Sequence, residues 1–174
     1  MNNRRFGTTN TELENYMSKH PPTKKFGRFL GVFPSDKLPP VKKPCCLIAN
    51  YDEFGMGGSH WIAMAFPTNE APQYFDSYGR DAEFWENLLG LDVDFKTYLR
   101  ENSKNHSYIY NKVDFQNIKS NQRQNDTCGE YCCYFLMNGS PSNMGGANPA
   151  WIRIRKIPQP ERNIFIRKIV KVRN

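Results

Sequence analysis

Two short runs constrain the fold more than anything else in the chain. CCLIAN (residues 45–50) and SHWIAMAF (59–66) are apolar at consecutive positions, so both faces of each strand need cover, as in the middle of a sheet packed on either side. QYFDSYG (73–79) follows the turn-forming PTNEAP and predicts a hairpin of 59–66 with 73–78. Helical spacings surround these strands: Leu13, Tyr16 and Met17 in TNTELENYMSKH; Phe84, Trp85, Leu88 and Leu89 in DAEFWENLLG; Phe95, Tyr98 and Leu99 in DVDFKTYLREN. HSYIYNKVDFQ reads as a further strand, and residues 128–137 as a helix ended by Asn138-Gly139. The order helix, strands, helices, strand, helix predicts an α+β domain.

A chain of 174 residues buries a core without staples, and 39% apolar with 14% aromatic residues excludes a disordered chain. No run is long enough to cross a bilayer, and MNNRRFGTTN has no apolar stretch after its basic residues, so no membrane contact and no secretion by a cleaved signal are expected. Five cysteines, four of them in the adjacent pairs Cys45-Cys46 and Cys132-Cys133, suit a disulfide framework badly and point to a reducing compartment. The net charge of +7 is concentrated. Residues 1–150 hold 16 basic and 16 acidic residues, whereas 151–174 hold 8 basic residues against Glu161. A Gly-, Ser-, Pro- and Asn-rich linker, 139–150, sets that basic extension apart from residues 1–138.

In the extension, Ile152 and Ile154 alternate with Arg153 and Arg155, and Ile164, Ile166, Val170 and Val172 share a parity, a strand-like pattern. Three roles fit it: binding nucleic acid through its Lys and Arg side chains, adding a strand to the main domain, or completing the fold as a solvated strand.

Chemistry concentrates in NQRQNDTCGEYCCYFLMNG (121–139). A metal is not expected there, because the partner pair for Cys128 and Cys132 would be Cys45-Cys46, whose side chains leave a strand on opposite faces. Cys132 and Cys133 fall with Tyr131, Phe135 and Leu136 on a buried stripe. Cys128 differs. Thr127 and Glu130 have the spacing of a capping box, which places Cys128 at the first helical position, where the positive helix end favours a thiolate. Gly129 keeps the space beside the sulfur open to an approaching backbone.

A thiol nucleophile needs a base. His20 precedes two prolines and His106 lies in a polar stretch, whereas His60 opens an apolar strand. Asp76, ringed by Tyr74, Phe75 and Tyr78, reaches His60 only if the hairpin pairs His60 with a residue of Asp76's own parity, such as Asp76 or Tyr78. Gln122 and Gln124 both precede Cys128 in a polar loop. By spacing alone either is a candidate amide donor to an oxyanion.

SHWIAMAF, QYFDSYG and QRQNDTCGEYCCYFL together resemble the adenain-like cysteine proteases, the maturation proteases of adenoviruses, virophages and Maverick/Polinton elements, which share a core with Ulp1-type SUMO proteases. The resemblance spans most of 26–137. It implies a permuted papain-like core, with a mainly antiparallel sheet flanked by helices and the nucleophile at a helix N-terminus, and it makes 1–138 the catalytic domain. It also implies roles. Cys128 is the nucleophile, His60 the base, Asp76 its orienter and Gln122 the oxyanion donor, with Trp61 and Gly129 lining the substrate channel.

The implied function is a cysteine endopeptidase cleaving viral capsid and core precursors after glycine during virion maturation, inside the host cell and the virion. The alternatives are a Ulp1-like isopeptidase for a ubiquitin-like modifier and a non-catalytic nucleic-acid-binding protein. No cofactor is required for the chemistry. Adenains are activated by DNA and by a basic peptide, disulfide-linked to a cysteine some eighteen residues before the nucleophile. Here Tyr110 occupies that region and no cysteine lies between residues 46 and 128, so the peptide has no such anchor.

Overall fold

The five strands β1 (Arg28–Phe33), β2 (Cys45–Asn50), β3 (Trp61–Phe66), β4 (Gln73–Phe75) and β5 (Ile109–Tyr110) form one sheet in chain order in the computed structural model, which describes residues 7–56, 59–117, 126–146, 148–159 and 161–172. The two central pairings, β2 with β3 and β3 with β4, are antiparallel, but both outer ones are parallel. The sheet is therefore mixed, with an antiparallel centre and parallel outer pairings. Parallel neighbours need a crossover, supplied on one side by residues 34–44 and on the other by helices α2 (Ala82–Leu89) and α3 (Phe95–Glu101).

Alternation along the strands divides the core in two. Cys46, Ile48, Ala63, Ala65 and Phe75 face one apolar cluster, whereas Cys45, Leu47, Ala49, Ile62, Met64, Phe66 and Tyr74 face the other. The first cluster is closed by α1 (Asn10–Lys19), α4 (Cys128–Asn138), α5 (Pro149–Lys156) and α6 (Glu161–Ile169), the second by α2 and α3. Both apolar strand runs are thus covered on both faces, as their composition requires.

Helix α1 starts at a reciprocal capping box. The Thr9 hydroxyl accepts from Glu12 N at 3.2 Å while Glu12 Oε2 accepts from Thr9 N at 2.7 Å, an arrangement worth about 1 kcal/mol. Leu13, Tyr16 and Met17 then point into the first cluster. Helix α4 is buried from Cys128 to Leu136 and so has no polar face to give a period. Its Phe135 stacks on Phe75 of β4, ring centroids 4.7 Å apart.

Two sequence expectations are corrected. The strand read across 106–116 reduces to Ile109–Tyr110. Residues 151–172 are not strands. They carry α5 and α6, and bury Trp151, Ile154, Ile166 and Val170 in the same cluster as α4. Those burials lie at i, i+3 and i, i+4, the helical spacing, and Ile152 and Ile164, which supplied the apparent alternation, are exposed. Trp151 packs on Phe115 at 4.8 Å and on Tyr134 at 5.0 Å, and its indole N–H donates to the Gly139 carbonyl at 2.7 Å. The 139–150 stretch is packed as well. Ser140 and Met144 are buried, the Ser140 hydroxyl bonds Gln73, and Asn148 caps α5 through Ala150 N at 2.9 Å.

The helical register gives a direct test. Ile154→Ala should cost about 2–5 kcal/mol by removing a buried side chain, while Ile152→Ala should stay within about 0.5 kcal/mol, both read as shifts in the urea midpoint. Equal losses at the two positions would restore the strand.

Candidate active site

His60 lies immediately before β3, and the antiparallel register Ala63↔Phe75 of β3 and β4, continued along the hairpin, brings it opposite Tyr78. That parity puts Asp76 on the imidazole's side. The carboxylate Oδ1 is 2.8 Å from His60 Nε2, with His60 6% exposed and Asp76 fully buried. Asp76 accepts twice more: Oδ1 from Tyr78 N at 2.9 Å and Oδ2 from the Trp85 indole N–H at 2.7 Å. Behind it the chain turns sharply, and Gly79 N donates to the Asp76 carbonyl at 2.9 Å. Gly79 has φ +71°, and a Cβ there would stand 2.6 Å from the Val113 carbonyl carbon, so only glycine fits. The Asn111 side-chain amide donates to the same Asp76 carbonyl at 2.8 Å.

Because Nε2 bonds the carboxylate, Nδ1 is the nitrogen left for chemistry, and Cys128 acts on the same imidazole, adding to the rise of its pKa. Burial alone would pull the His60 pKa down. The charge and hydrogen bond of Asp76, reinforced by Cys128, outweigh burial and raise it to about 10. The ring is held edge and face by aromatic neighbours, Tyr78 and Trp85 both at 5.1 Å and Tyr51 at 6.2 Å.

Cys128 opens α4 with Thr127 at the N-cap. The capping box expected there does not form. The Thr127 hydroxyl is buried and finds no hydrogen-bond partner among the described residues, and the Glu130 carboxylate instead accepts from the Thr8 hydroxyl at 3.0 Å. Burial pushes the thiols of Cys132 and Cys133, deep in the helix, well above the ordinary range. Cys45 and Cys46 leave β2 into opposite clusters. Of the five cysteines, Cys128 is the one that faces a base.

The expected channel residues are placed differently from one another. A Cβ on Gly129 would meet Leu13 Cδ2 at 3.0 Å and Thr8 Cβ at 3.2 Å. The space its missing side chain leaves is therefore filled by α1 and residue 8, which corrects the reading that it admits a substrate backbone. Trp61 is partly buried beside His60, and its indole N–H donates to the Thr8 carbonyl at 2.8 Å. Gln122 and Gln124 lie outside the described residues. Trp85, Asn111 and Thr8 were not found from sequence. None stands at a diagnostic spacing from Cys128, His60 or Asp76, and only the folded chain brings them there.

A buried carboxylate, an imidazole bonded to it and a thiol at a helix start form the arrangement that activates a cysteine for attack on a carbonyl. A sequence model described as adenovirus endoprotease matches residues 29–155. The chain belongs to the adenovirus endoprotease family. A protein of Acanthamoeba polyphaga mimivirus whose name assigns it to the thiol proteases is 33% identical to this family member over 99 residues, covering 54% of the chain but 30% of the mimivirus protein. The chain thus spans less than a third of that relative. Among solved structures, the pS273R protease of ASFV aligns with 95% of the chain and 69% of its own at 16% identity and a TM-score of 0.45. The central domain of the Legionella pneumophila protein Lpg1148 aligns with 96% of the chain and 98% of its own at 18% identity and a TM-score of 0.43.

The raised His60 pKa makes a pH prediction. Its second proton is held more tightly in the folded than in the unfolded chain, so the stabilisation is complete below about 6.5 and is lost as pH rises through about 10. Asp76→Asn should flatten that loss in urea titrations between pH 6 and 10.5. It should also lower kcat/KM about 100-fold and move the alkaline limb of the rate profile to lower pH, since a neutral amide no longer supplies the charge that raises the His60 pKa. An unmoved limb would show that Asp76 does not set the imidazole.

Proposed function

We propose that the chain is a cysteine endopeptidase that cleaves viral capsid and core precursor proteins during particle maturation, cutting after glycine. The observation that carries the peptidase reading is the buried Asp76–His60 hydrogen bond with Cys128 acting on the same imidazole, within a chain whose family is that of an endoprotease.

The residues divide the work as follows. The Cys128 sulfur attacks the scissile carbonyl while its proton resides on His60 Nδ1, and the tetrahedral oxyanion meets the Cys128 backbone N–H, unpaired within the helix because it opens α4. Gln122 is the proposed second donor. His60 then protonates the departing amine, leaving a thioester on Cys128. In the second half His60 takes a proton from water, the hydroxide oxygen bonds the acyl carbon, and the C–S bond breaks to release the acid. Asp76 keeps Nε2 protonated throughout, so that Nδ1 is the nitrogen that exchanges protons. Trp61, beside the base and partly exposed, walls the substrate channel.

Cys128→Ala should reduce cleavage of a glycine-containing precursor peptide on the order of 10⁴-fold or more. N-terminal mapping of particle proteins made with the active and the Cys128→Ala enzymes should show mature termini only with the former. Identical termini in both sets would remove the maturation role, and labelling by ubiquitin- or SUMO-based electrophiles but not by glycine-ended peptides would favour an isopeptidase.

A second partner is proposed from the basic surface. Arg153, Arg155, Lys156, Lys168 and Lys171 are all exposed on or just after α5 and α6, which supports nucleic-acid binding through phosphates without base readout. The dependence of log K on log salt should then be steep, and Lys156→Ala, Lys168→Ala and Lys171→Ala should each reduce its slope by about 1. DNA that neither binds nor changes the cleavage rate would eliminate this partner. No described helix is long and apolar enough to cross a membrane, and the proposed setting is the particle and the infected cell.

A further inference from the structure

The base and the nucleophile ride on different elements, far apart in sequence, and most of the contact between β3 and α4 is apolar. Ala63 and Ala65 lie in one cluster with Cys132 and Phe135. Such packing holds two elements together without fixing the orientation of the helix's first turn, because it is not directional. Among the described residues, Thr8, outside both elements, makes directional bonds on both sides of the reacting atoms. The carbonyl of Thr8 accepts from the Trp61 indole N–H at 2.8 Å, next to the base, and its hydroxyl donates to Glu130 Oε2 at 3.0 Å, two residues beyond the nucleophile. Thr8 is 5% exposed and Glu130 3%. A hydroxyl-to-carboxyl bond at that depth is electrostatically stronger than the same bond in water.

Other contacts converge on the same place. Gly7 N donates to Asp126 Oδ2 at 2.9 Å, ahead of the nucleophile, and Arg167 of α6 bonds the other oxygen of that carboxylate. Glycine at 129 lets the segment lie flush on the helix, for a Cβ there would be 3.4 Å from Thr8 Oγ1 and closer still to its Cβ. The unformed capping box lies at the same place: the Thr127 hydroxyl makes no cap bond, and Glu130 Oε2 accepts from Thr8.

We infer that Thr8 is a positioning residue for the Cys128–His60 pair: by bonding Trp61 with its carbonyl and Glu130 with its hydroxyl, it fixes the first turn of α4 against the start of β3 and so sets the approach of the thiol to His60 Nδ1. This rests on the peptidase reading for its meaning but not for its test. Misplacement of reacting groups by about 1 Å costs on the order of 100-fold in rate, so loss of one of the two bonds is expected to register well before the fold is lost.

The test uses the full chain and alkylation of Cys128 by iodoacetamide, located by mass spectrometry, which reports the thiol's pairing with His60 whether or not any peptide is cleaved. Thr8→Val keeps the shape and removes the hydroxyl. It should slow alkylation at neutral pH about 10-fold, shift the pH profile of alkylation, and lower kcat by a similar factor with KM within about 2-fold. Thr8→Ser, which returns the hydroxyl, should recover most of the rate. Should Thr8→Val fold poorly, Trp61→Phe severs the other bond, and the small reagent does not depend on the channel wall that Trp61 supplies. With both variants folded, the double substitution should cost no more than the larger single one, because both cut the same bridge. An alkylation profile in Thr8→Val or Trp61→Phe that matches the unaltered chain, a Thr8→Ser variant as impaired as Thr8→Val, or additive losses would overturn the assignment. Normal alkylation effects alongside absent peptide cleavage would leave the positioning intact and overturn the peptidase reading instead.

Discussion

The carboxylate of Asp76 is the fixed point of the molecule. It is fully buried, and a charge in that position is tolerated only when hydrogen-bonded and paired, since stripping one partner from a buried pair costs about 3–5 kcal/mol. Its three donors come from three places: His60 ahead of β3, Tyr78 in the turn after β4, and Trp85 on α2. Asn111, just past β5, bonds the same residue's carbonyl. The end of the sheet, one covering helix and the loop after β5 must therefore all be in place before the imidazole has its orientation. The demand that makes the site costly to build is the demand that makes it specific.

The sheet supplies the rigidity this requires. β2 and β3 are buried throughout apart from Trp61, and each side of the sheet closes on its own cluster. On the α4 side, Phe75, Phe115, Phe135 and Trp151 form a continuous group of ring contacts between β4, α4 and α5. The C-terminal helices are part of this core, and the basic residues they expose are the polar faces of amphipathic helices whose other faces are buried. Charge and packing in the last stretch of chain are two sides of one element.

This division explains what could be read from sequence. Strands with apolar residues on both faces and an i, i+3, i+4 stripe in α1 are local signals, and each became the element it predicted. The His60–Asp76 pair was legible because a hairpin's register converts sequence parity into spatial proximity. The tail misled for a physical reason. Exposed Ile152 and Ile164 completed an alternation, and only tertiary burial of Trp151, Ile154 and Ile166 reveals which residues face the core. Thr127 and Glu130 have ideal capping spacing, yet a long-range hydroxyl from Thr8 captured the carboxylate. Trp85 and Thr8 carry no local signature at all, because what they do depends on where other segments arrive.

The two halves of the reactive pair are consequently held with different security. His60 belongs to the sheet and to a buried, triply bonded carboxylate. Cys128 begins a helix whose first turn is tied by segments near both ends of the described chain, Gly7 and Thr8 on one side and Arg167 on the other, meeting around Asp126 and Glu130. The two ties differ in strength. The Arg167–Asp126 pair, with its arginine 39% exposed, contributes at most about 1 kcal/mol, whereas the Thr8–Glu130 bond joins two residues only 5% and 3% exposed and is shielded from solvent screening. The tie through α6 is therefore the more solvent-screened of the two, and the one through residue 8 the more deeply buried. Of the two reacting groups, the imidazole is held by the more buried set of bonds, those of Asp76.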